Sequence, residues 1–217
     1  MEKKLKQKPI NIVKVVLFGP ESSGKTTLSK QLARYYNTVW APEFAREYLQ
    51  EKWNNERKTC EAELIPIAIG QMKLENKLAK KADKVLICDT DLLETKVYSE
   101  EFYGGFVDEM LDKAANENQY DLYLLTYIDT PWEEDDLRDR PEQRLEMFNA
   151  FETALKTHNR PYILLKGDRD IRLKNATDAI NKIIAEKENL HSFSDSLLDL
   201  DMHFMHQNND FGFNLDY

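Results

Sequence analysis

One segment constrains the fold of this chain more than any other, because it joins an apolar run to an amphipathic one. Residues 19–26 read Gly-Pro-Glu-Ser-Ser-Gly-Lys-Thr and match the pattern G-x-x-x-x-G-K-[ST] in full. The apolar run Val13–Phe18 before them predicts a buried strand. Residues 25–36 predict a helix with Leu28 and Leu32 on its apolar face. Strand, glycine-rich loop and helix in this order predict a phosphate-binding loop, or P-loop.

The chemistry of phosphate binding explains the pattern. Gly19 and Gly24 let the backbone turn tightly and approach phosphate oxygens, and the loop amides with the helix N-terminus form an anion-binding nest. Lys25 is expected to reach the β- and γ-phosphates of ATP, and Thr26 to ligate Mg²⁺. A glycine turn that only joins strand to helix would leave Lys25 and Thr26 unexplained. The predicted ATP-binding residues of the loop are Gly19, Glu21, Ser22, Ser23, Gly24, Lys25, Thr26 and Thr27.

The rest of the chain alternates short apolar runs with amphipathic stretches. This alternation predicts an α/β P-loop NTPase with a five-stranded parallel sheet and helices on both faces. We predict one domain over residues 1–188 and an acidic, aromatic-rich tail over residues 189–217. The later strands are expected at 39–41, 84–88, 120–126 and 161–166. The later helices are expected at about 43–53, 62–82, 107–116 and 176–187, and a further helix, after the charged segment 133–144, ends near 157.

The composition excludes several classes of function. A net charge of −9 over 217 residues disfavours broad nucleic-acid binding. No run of 18 apolar residues occurs, so we expect no transmembrane helix and no membrane partner. The chain has only two cysteines, Cys60 and Cys88, which argues against a disulfide framework and for a reducing compartment. The expectation is a cytoplasmic protein.

Acidic residues follow two of the predicted strands, where ligands bind in open α/β sheets. Asp89 directly follows the third strand and is the predicted indirect Mg²⁺ ligand. Asp91 and Glu43 could bind sugar hydroxyls or take a proton from an attacking hydroxyl. Each has a structural alternative: residues 89–91 could cap a helix, and Glu43 could pair with Arg46 on a solvated helix face.

The charged segment 133–144 follows the fourth strand and is a candidate lid. Arg138, Arg140 and Arg144 could neutralise charge on a transferring phosphoryl group. A solvated helix with ion pairs is the alternative, because acidic residues outnumber arginines there. Trp132 could stack on a flat ligand ring or pack a loop. Arg172 lies where a nucleotide base could bind, although a polar turn explains it equally well.

The tail contains three of the four histidines, several aspartates and five aromatic residues, without a clear periodicity. Its composition and terminal position predict a flexible or loosely docked extension. The alternative is a segment that docks a partner through its aromatic side chains.

Five segments together resemble one family, the nicotinamide riboside kinase (ribosylnicotinamide kinase) domains of bacterial NAD-biosynthesis proteins. The resemblance covers about residues 12–186, and the combination of segments is far more specific than any one of them. The segments are the P-loop 19–28, Pro-Glu-Phe-Ala-Arg-Glu-Tyr at 42–48, Cys-Asp-Thr-Asp at 88–91, Asp-Thr-Pro-Trp at 129–132 with Asp135 and Arg138, and Leu-Lys-Gly-Asp at 165–168 with Arg172.

This resemblance implies a nucleoside-kinase-like fold and ATP-dependent phosphorylation of the ribose 5′-hydroxyl of nicotinamide riboside. It implies that Glu43, Arg46, Asp89 and Asp91 face the riboside or the metal, and that Trp132 or Tyr98 stacks on the pyridinium ring. The residues expected to act in catalysis are Lys25, Asp91, Glu43 and Arg138.

The chain departs from the family in two respects. It has no room for the family's adenylyltransferase and repressor domains, so we expect it to act alone or with a separate adenylyltransferase. The lid segment is also unusually acidic. A kinase for another nucleoside or nucleotide, and an ATP-binding regulatory module, remain the alternative functions.

Overall fold

A parallel sheet of five strands forms the centre of the computed structural model, which describes residues 2–54, 61–133 and 141–208. The strands are ordered β2-β3-β1-β4-β5, and every neighbouring pair is parallel. The five predicted strands and the parallel sheet are therefore confirmed. Their bounds are β1 Val13–Phe18, β2 Trp40–Ala41, β3 Val85–Cys88, β4 Leu122–Thr126 and β5 Tyr162–Leu165.

Helices cover both faces of this sheet. All six residues of β1 are buried, and successive side chains of a strand point to opposite faces. On one side, α1 packs against β1 and β3, while α4 packs with α3, α5 and α6 around the main hydrophobic cluster. The helices are α1 Lys25–Tyr35, α2 Phe44–Asn54, α3 Leu64–Ala79, α4 Leu92–Phe102, α5 Glu109–Glu117, α6 Arg144–Thr157 and α7 Arg169–Asn208.

Two helices differ from the sequence prediction. Helix α4 was not predicted, because it packs against three other helices and its buried residues do not form a single apolar stripe. Helix α7 begins at Arg169 rather than near 176, because the Asp168 carboxylate accepts from the amides of Asp170 and Ile171 and starts the helix there. It continues to Asn208, well beyond the predicted end near 187.

The chain divides into two compact units, Met1–Ile180 and Asn181–Tyr217. The predicted boundary at residue 188 stays a prediction. Within the second unit, the described part is the end of α7, which has an exposed ion pair between Lys182 and Glu186. Over the described ranges, no helix has both the length and the apolar character that spanning a membrane requires.

A buried polar network explains why a lysine interrupts the central strand. Lys14 of β1 places its Nζ 3.4 Å from Oε1 of Glu75, a residue of α3 with no exposed surface. Gln7 Nε2 donates to the same oxygen at 3.1 Å, and the Tyr120 hydroxyl donates to Oε2 at 2.6 Å. The lysine is therefore tolerated because a fully hydrogen-bonded carboxylate compensates its charge.

Candidate functional site

The loop between β1 and α1 has an unusual backbone. Gly19, Ser22 and Gly24 have φ angles of 135°, 55° and 88°, a region that favours glycine. A Cβ on Gly19 would lie 2.8 Å from Thr126 Oγ1 and 2.9 Å from its carbonyl oxygen. Gly19 is therefore required for two reasons, its conformation and its contact with β4.

Replacing this glycine should destabilise the protein strongly. We expect Gly19→Ala to lower the free energy of unfolding by at least about 2 kcal/mol, because strain and a backbone clash act together. The matched control is Gly104→Ala, which has a φ of 61° but, among the described residues other than its chain neighbours, no heavy atom within 4 Å of the added Cβ. The control should cost about 1 kcal/mol. Equal losses in urea denaturation would contradict the clash.

The carbonyl oxygens of the loop are fixed from outside by distant residues. Ser22 O accepts from Thr130 Oγ1 at 2.7 Å and from Arg144 Nη2 at 3.2 Å, and Ser23 O accepts from Arg172 Nη1 at 2.6 Å. These bonds hold the loop in one conformation, as a nest of amides for phosphate oxygens requires.

Lys25 lies at the start of α1, and its ammonium group turns back onto the loop. Its Nζ donates to Gly19 O at 2.5 Å and to Pro20 O at 3.1 Å, and lies 3.3 Å from Glu94 Oε1. Burial lowers the pKa of Lys25, but the negative charges of Glu94, Glu43 and Asp89 outweigh burial and raise the pKa above its usual value. The loop therefore holds a permanent cation.

Glu94 is a site residue that the sequence analysis missed. It belongs to the first turn of α4 and is 2% exposed. Its Oε2 has no hydrogen-bond partner among the described residues. Burial raises its pKa well above the usual value, although Lys25 opposes the shift. The signal was the spacing Asp-x-x-Glu at 91–94, typical of a helix start, but nothing in that spacing indicates a contact with Lys25.

Asp89 joins the ends of three elements beside Lys25. Ser29 Oγ donates to its Oδ1 at 3.1 Å, and the Thr26 hydroxyl also bonds this carboxylate. The Asp89 amide donates to Ala41 O at 2.8 Å. Burial raises the pKa of Asp89 to about 6, while Thr26 and Lys25 partly offset that effect. The structure thus brings together the two residues predicted to serve Mg²⁺.

A hydroxyl and a carboxylate oxygen suit Mg²⁺, which takes oxygen ligands, keeps several waters and uses substrate phosphates as further ligands. Among the described residues, no group of three or more His, Cys, Asp or Glu side chains forms a metal cage. Thr26 and Asp89 therefore fit an ion held jointly with a nucleotide rather than one held by protein alone.

Asp91 has two structural bonds. It is the N-cap of α4: its Oδ1 accepts from the Glu94 amide at 2.9 Å, and its Oδ2 accepts from the Tyr123 hydroxyl at 2.7 Å. It is 1% exposed, and burial raises its pKa to about 6, although both hydrogen bonds act in the opposite direction. The geometry therefore favours the helix-cap alternative for Asp91 over a contact with substrate.

This interpretation can be tested by stability. We expect Asp91→Ala to cost about 2–3 kcal/mol, because it removes a cap and leaves the buried Tyr123 hydroxyl without its acceptor. Asp108→Ala is the control, since Asp108 caps α5 through Met110 N at 2.8 Å and is only half-buried. The control should cost about 1 kcal/mol. If both variants unfold at the same urea concentration, Asp91 does no more than cap its helix.

Glu43 lies between β2 and α2, and its charge acts on both Lys25 and Asp89. Arg46 lies one turn further along α2 and is exposed. Glu43 therefore acts electrostatically on the loop lysine, and Arg46 is exposed beside it, while contacts of both residues with a substrate stay predictions.

The residues predicted to contact rings or bases have other partners. Arg172 is 4% exposed and donates to the carbonyl oxygens of Gly167 and Tyr127, besides Ser23, and it pairs with Asp129. With these four acceptors, Arg172 links the phosphate-binding loop, through Ser23 O, to the ends of β4 and β5. Its contact with a nucleotide base stays a prediction.

Trp132 faces the guanidinium group of Arg144, 5.6 Å from the ring centroid. Arg144 also donates to Thr130 O at 3.0 Å. Tyr98 stacks on Phe102 at 5.4 Å and packs against the hydrophobic cluster. Trp132 and Tyr98 therefore contact side chains of their own protein, and the contact of either with a ligand ring stays a prediction.

The remaining predicted residues belong to the loop or to the lid segment. Glu21, Ser22 and Thr27 lie in or directly after the loop as expected. Ser23 is buried, and its hydroxyl bonds Pro20 O at 2.6 Å and Thr126 Oγ1 at 2.7 Å. Arg138 and its neighbours Asp135 and Arg140 lie outside the described residues.

The chain is similar to known proteins over most of its length. A family model described as an AAA domain matches residues 14–172. The trifunctional NAD biosynthesis/regulator protein NadR of Salmonella typhimurium is 29% identical over 187 residues, covering 83% of this chain and 45% of that protein. The protein of the same name from Escherichia coli is 28% identical with the same coverage. The chain spans about half the length of these curated relatives.

Solved structures of NadR share the fold. A crystal structure of NadR in complex with NR has a TM-score of 0.64 and 21% identity, covering 79% of this chain and 51% of that one. A second, in complex with NAD and AMP-PNP, has a TM-score of 0.61 and 21% identity, covering 79% of this chain and 49% of that one.

Proposed function

This chain belongs to the AAA domain family, and we propose that within this family it is an ATP-dependent kinase for nicotinamide riboside. It would transfer the γ-phosphoryl group of ATP to the ribose 5′-hydroxyl and give nicotinamide mononucleotide and ADP. The observation that carries the proposal is the joint position of Lys25, Thr26 and Asp89 at the carboxyl ends of β1 and β3. The NAD-biosynthesis relatives and the NadR complexes with NR and AMP-PNP support the choice of substrates.

The loop would bind the phosphates of ATP, and Lys25 would exchange partners. In the structure its ammonium group bonds Gly19 O, Pro20 O and Glu94. With ATP present, the β- and γ-phosphates replace these acceptors. Glu94 thus neutralises the buried lysine until the nucleotide takes over that role.

The chemistry we propose is a direct in-line displacement. The riboside 5′-oxygen forms a bond to the γ-phosphorus while the bond from that phosphorus to the β–γ bridging oxygen breaks, and ADP leaves with the electron pair. The hydroxyl proton passes to a carboxylate. We assign that role to Glu43, which lies in electrostatic contact with Lys25, rather than to Asp91, whose two oxygens are engaged.

The remaining roles belong to the same proposal. Thr26 and Asp89 would hold Mg²⁺, which when bound neutralises charge on the phosphates. Arg138 remains the proposed lid arginine, Arg46 a proposed riboside contact and Trp132 a proposed ring contact. A tail at 189–217 and a cytoplasmic location are also kept as proposals. A separate adenylyltransferase, one of the two arrangements expected from the sequence, finds no support in the comparisons.

The test is acceptor-dependent ADP release. Purified protein is incubated with ATP and Mg²⁺, with and without nicotinamide riboside, and the product is identified by mass spectrometry. Riboside-dependent ADP release with nicotinamide mononucleotide as product supports the proposal. The same assay with nicotinic acid riboside, deoxyadenosine and cytidine tests whether the chain is instead a kinase for another nucleoside. ATP binding without turnover on any acceptor would reject a kinase and leave the regulatory module.

A further inference from the structure

The turn at residues 42–44 contains Glu43, and one of its backbone amides needs a hydrogen-bond acceptor from outside the turn. Helix α2 begins at Phe44, and the first amides of a helix lack partners within the helix. A serine, threonine, aspartate or asparagine before the helix would normally supply an acceptor. Here that position holds Glu43, whose carboxylate the proposed reaction needs elsewhere. Such a cap accepts from the second or third amide of a helix, so the Phe44 amide, which is the first, takes its acceptor from another part of the chain.

Gln71 of α3 supplies it. Its Oε1 accepts from the Phe44 amide at 2.8 Å, and its Nε2 donates to Pro42 O at 3.3 Å. Gln71 is 1% exposed, so both bonds are shielded from water. One planar amide group therefore binds the peptide groups on both sides of Glu43.

A second contact fixes the same turn from the neighbouring residue. Gly70 precedes Gln71 on α3, and an added Cβ there would overlap the ring of Phe44. The ring therefore lies directly on the backbone of α3. On the other side of the turn, Ala41 O accepts from the Asp89 amide at 2.8 Å. The backbone that carries Glu43 is thus tied to α3 and to the residue that faces Thr26.

We propose that Gln71 is a positioning residue that holds Glu43 beside Lys25 for proton transfer. This inference rests on the proposed kinase function and on the role assigned to Glu43. Gln71 itself touches no reacting atom in this arrangement. Its effect on turnover comes from placing the carboxylate, and a misplacement of about 1 Å can lower a rate on the order of 10²-fold. A purely structural cap would instead change stability and leave Glu43 equally effective.

A double-mutant cycle separates these two roles. Gln71→Met removes both hydrogen bonds at similar volume, and Glu43→Gln removes the carboxylate. We expect Gln71→Met to lower kcat about 10–100-fold, with the KM for ATP nearly unchanged. In the Glu43→Gln background, the same change should cost less than about 3-fold, because it acts through a carboxylate that is already absent. An equal loss of kcat in both backgrounds would overturn the proposal.

Controls cover folding and chemistry. Gln119→Met removes another glutamine that bonds main-chain carbonyls, in the segment that follows α5, and it should leave kcat unchanged. Gln71→Glu keeps an acceptor for the Phe44 amide and replaces Gln71→Met in the cycle where the latter does not fold. Hydrogen exchange at the Phe44 amide should be faster in Gln71→Met than in wild type; unchanged exchange would contradict the cap.

Failure of the proposed function is visible separately. Wild-type protein that releases ADP with another acceptor, but not with nicotinamide riboside, rejects the riboside as substrate. The cycle is then run with that acceptor, and the expected coupling of Gln71 to Glu43 is the same. Wild-type protein without turnover on any acceptor rejects both proposals.

Discussion

Replacing Lys25 with methionine is expected to lower riboside-dependent ADP release by about 10²–10³-fold, the usual effect of removing one charged donor from a transferring group. The physical reason is its place in the loop. The ammonium group is held by Gly19 O and Pro20 O, and under the proposed function it exchanges these acceptors for the phosphates of ATP. Initial rates of ADP release over a range of ATP and riboside concentrations measure the loss.

This variant needs a partner variant, because Lys25 also compensates the buried charge of Glu94. Leaving a buried carboxylate unpaired costs about 3–5 kcal/mol, which could unfold the protein and mimic a catalytic loss. Lys25→Met combined with Glu94→Gln removes both charges and should recover most of the stability. Lys30→Met is the surface control on the same helix, since Lys30 is exposed and lies over the Trp40 ring. A stable double variant with wild-type turnover would show that Lys25 does not serve the phosphates.

The second large effect is on stability. We expect Glu75→Ala to lower the free energy of unfolding by about 3–5 kcal/mol, because it leaves Lys14 buried without the carboxylate that compensates its charge. Tyr120 and Gln7 also lose their acceptor. Urea denaturation followed by circular dichroism measures the change.

Two comparisons show whether burial is the cause. Asp178→Ala breaks an exposed ion pair with Lys174, whose side chains are 61% and 73% exposed, and should cost less than about 1 kcal/mol. Lys14→Met combined with Glu75→Leu replaces the buried pair by apolar side chains and should recover most of the lost stability. If Asp178→Ala and Glu75→Ala lower the free energy of unfolding by the same amount, burial is not what makes the Glu75 ion pair important for stability.

Local patterns in the sequence were sufficient for most of the fold. Val13–Phe18, a glycine-rich loop and an amphipathic segment are local signals, and they predicted β1, the loop and α1 at nearly the observed bounds. Helix α4 was not predicted because it packs against helices on several sides. A helix buried in this way lacks the amphipathic pattern on which the prediction depends. Helix α7 begins at the Asp168 cap. Aspartate is typical both of turns and of helix caps, so the sequence alone does not distinguish the two at this position.

The site was less predictable than the fold, because the tertiary structure determines which hydrogen-bond partner each of its side chains has. The motif indicated Lys25 and Thr26, and the end of β3 indicated Asp89. No spacing rule connects Arg172 to Ser23 O or Gln71 to Phe44 N. The same charged or polar side chain can bind a ligand or a carbonyl oxygen of its own protein, and only the three-dimensional arrangement decides between these outcomes.

The outer bonds of the phosphate loop also set an order for folding. Ser22 and Ser23 are made early in synthesis, but Thr130, Arg144 and Arg172 follow 108, 122 and 149 residues later. Contacts of such long sequence separation form late, because the chain entropy of closing large loops opposes them. A nascent chain on the ribosome therefore carries an unfinished loop until the first turn of α7 has emerged.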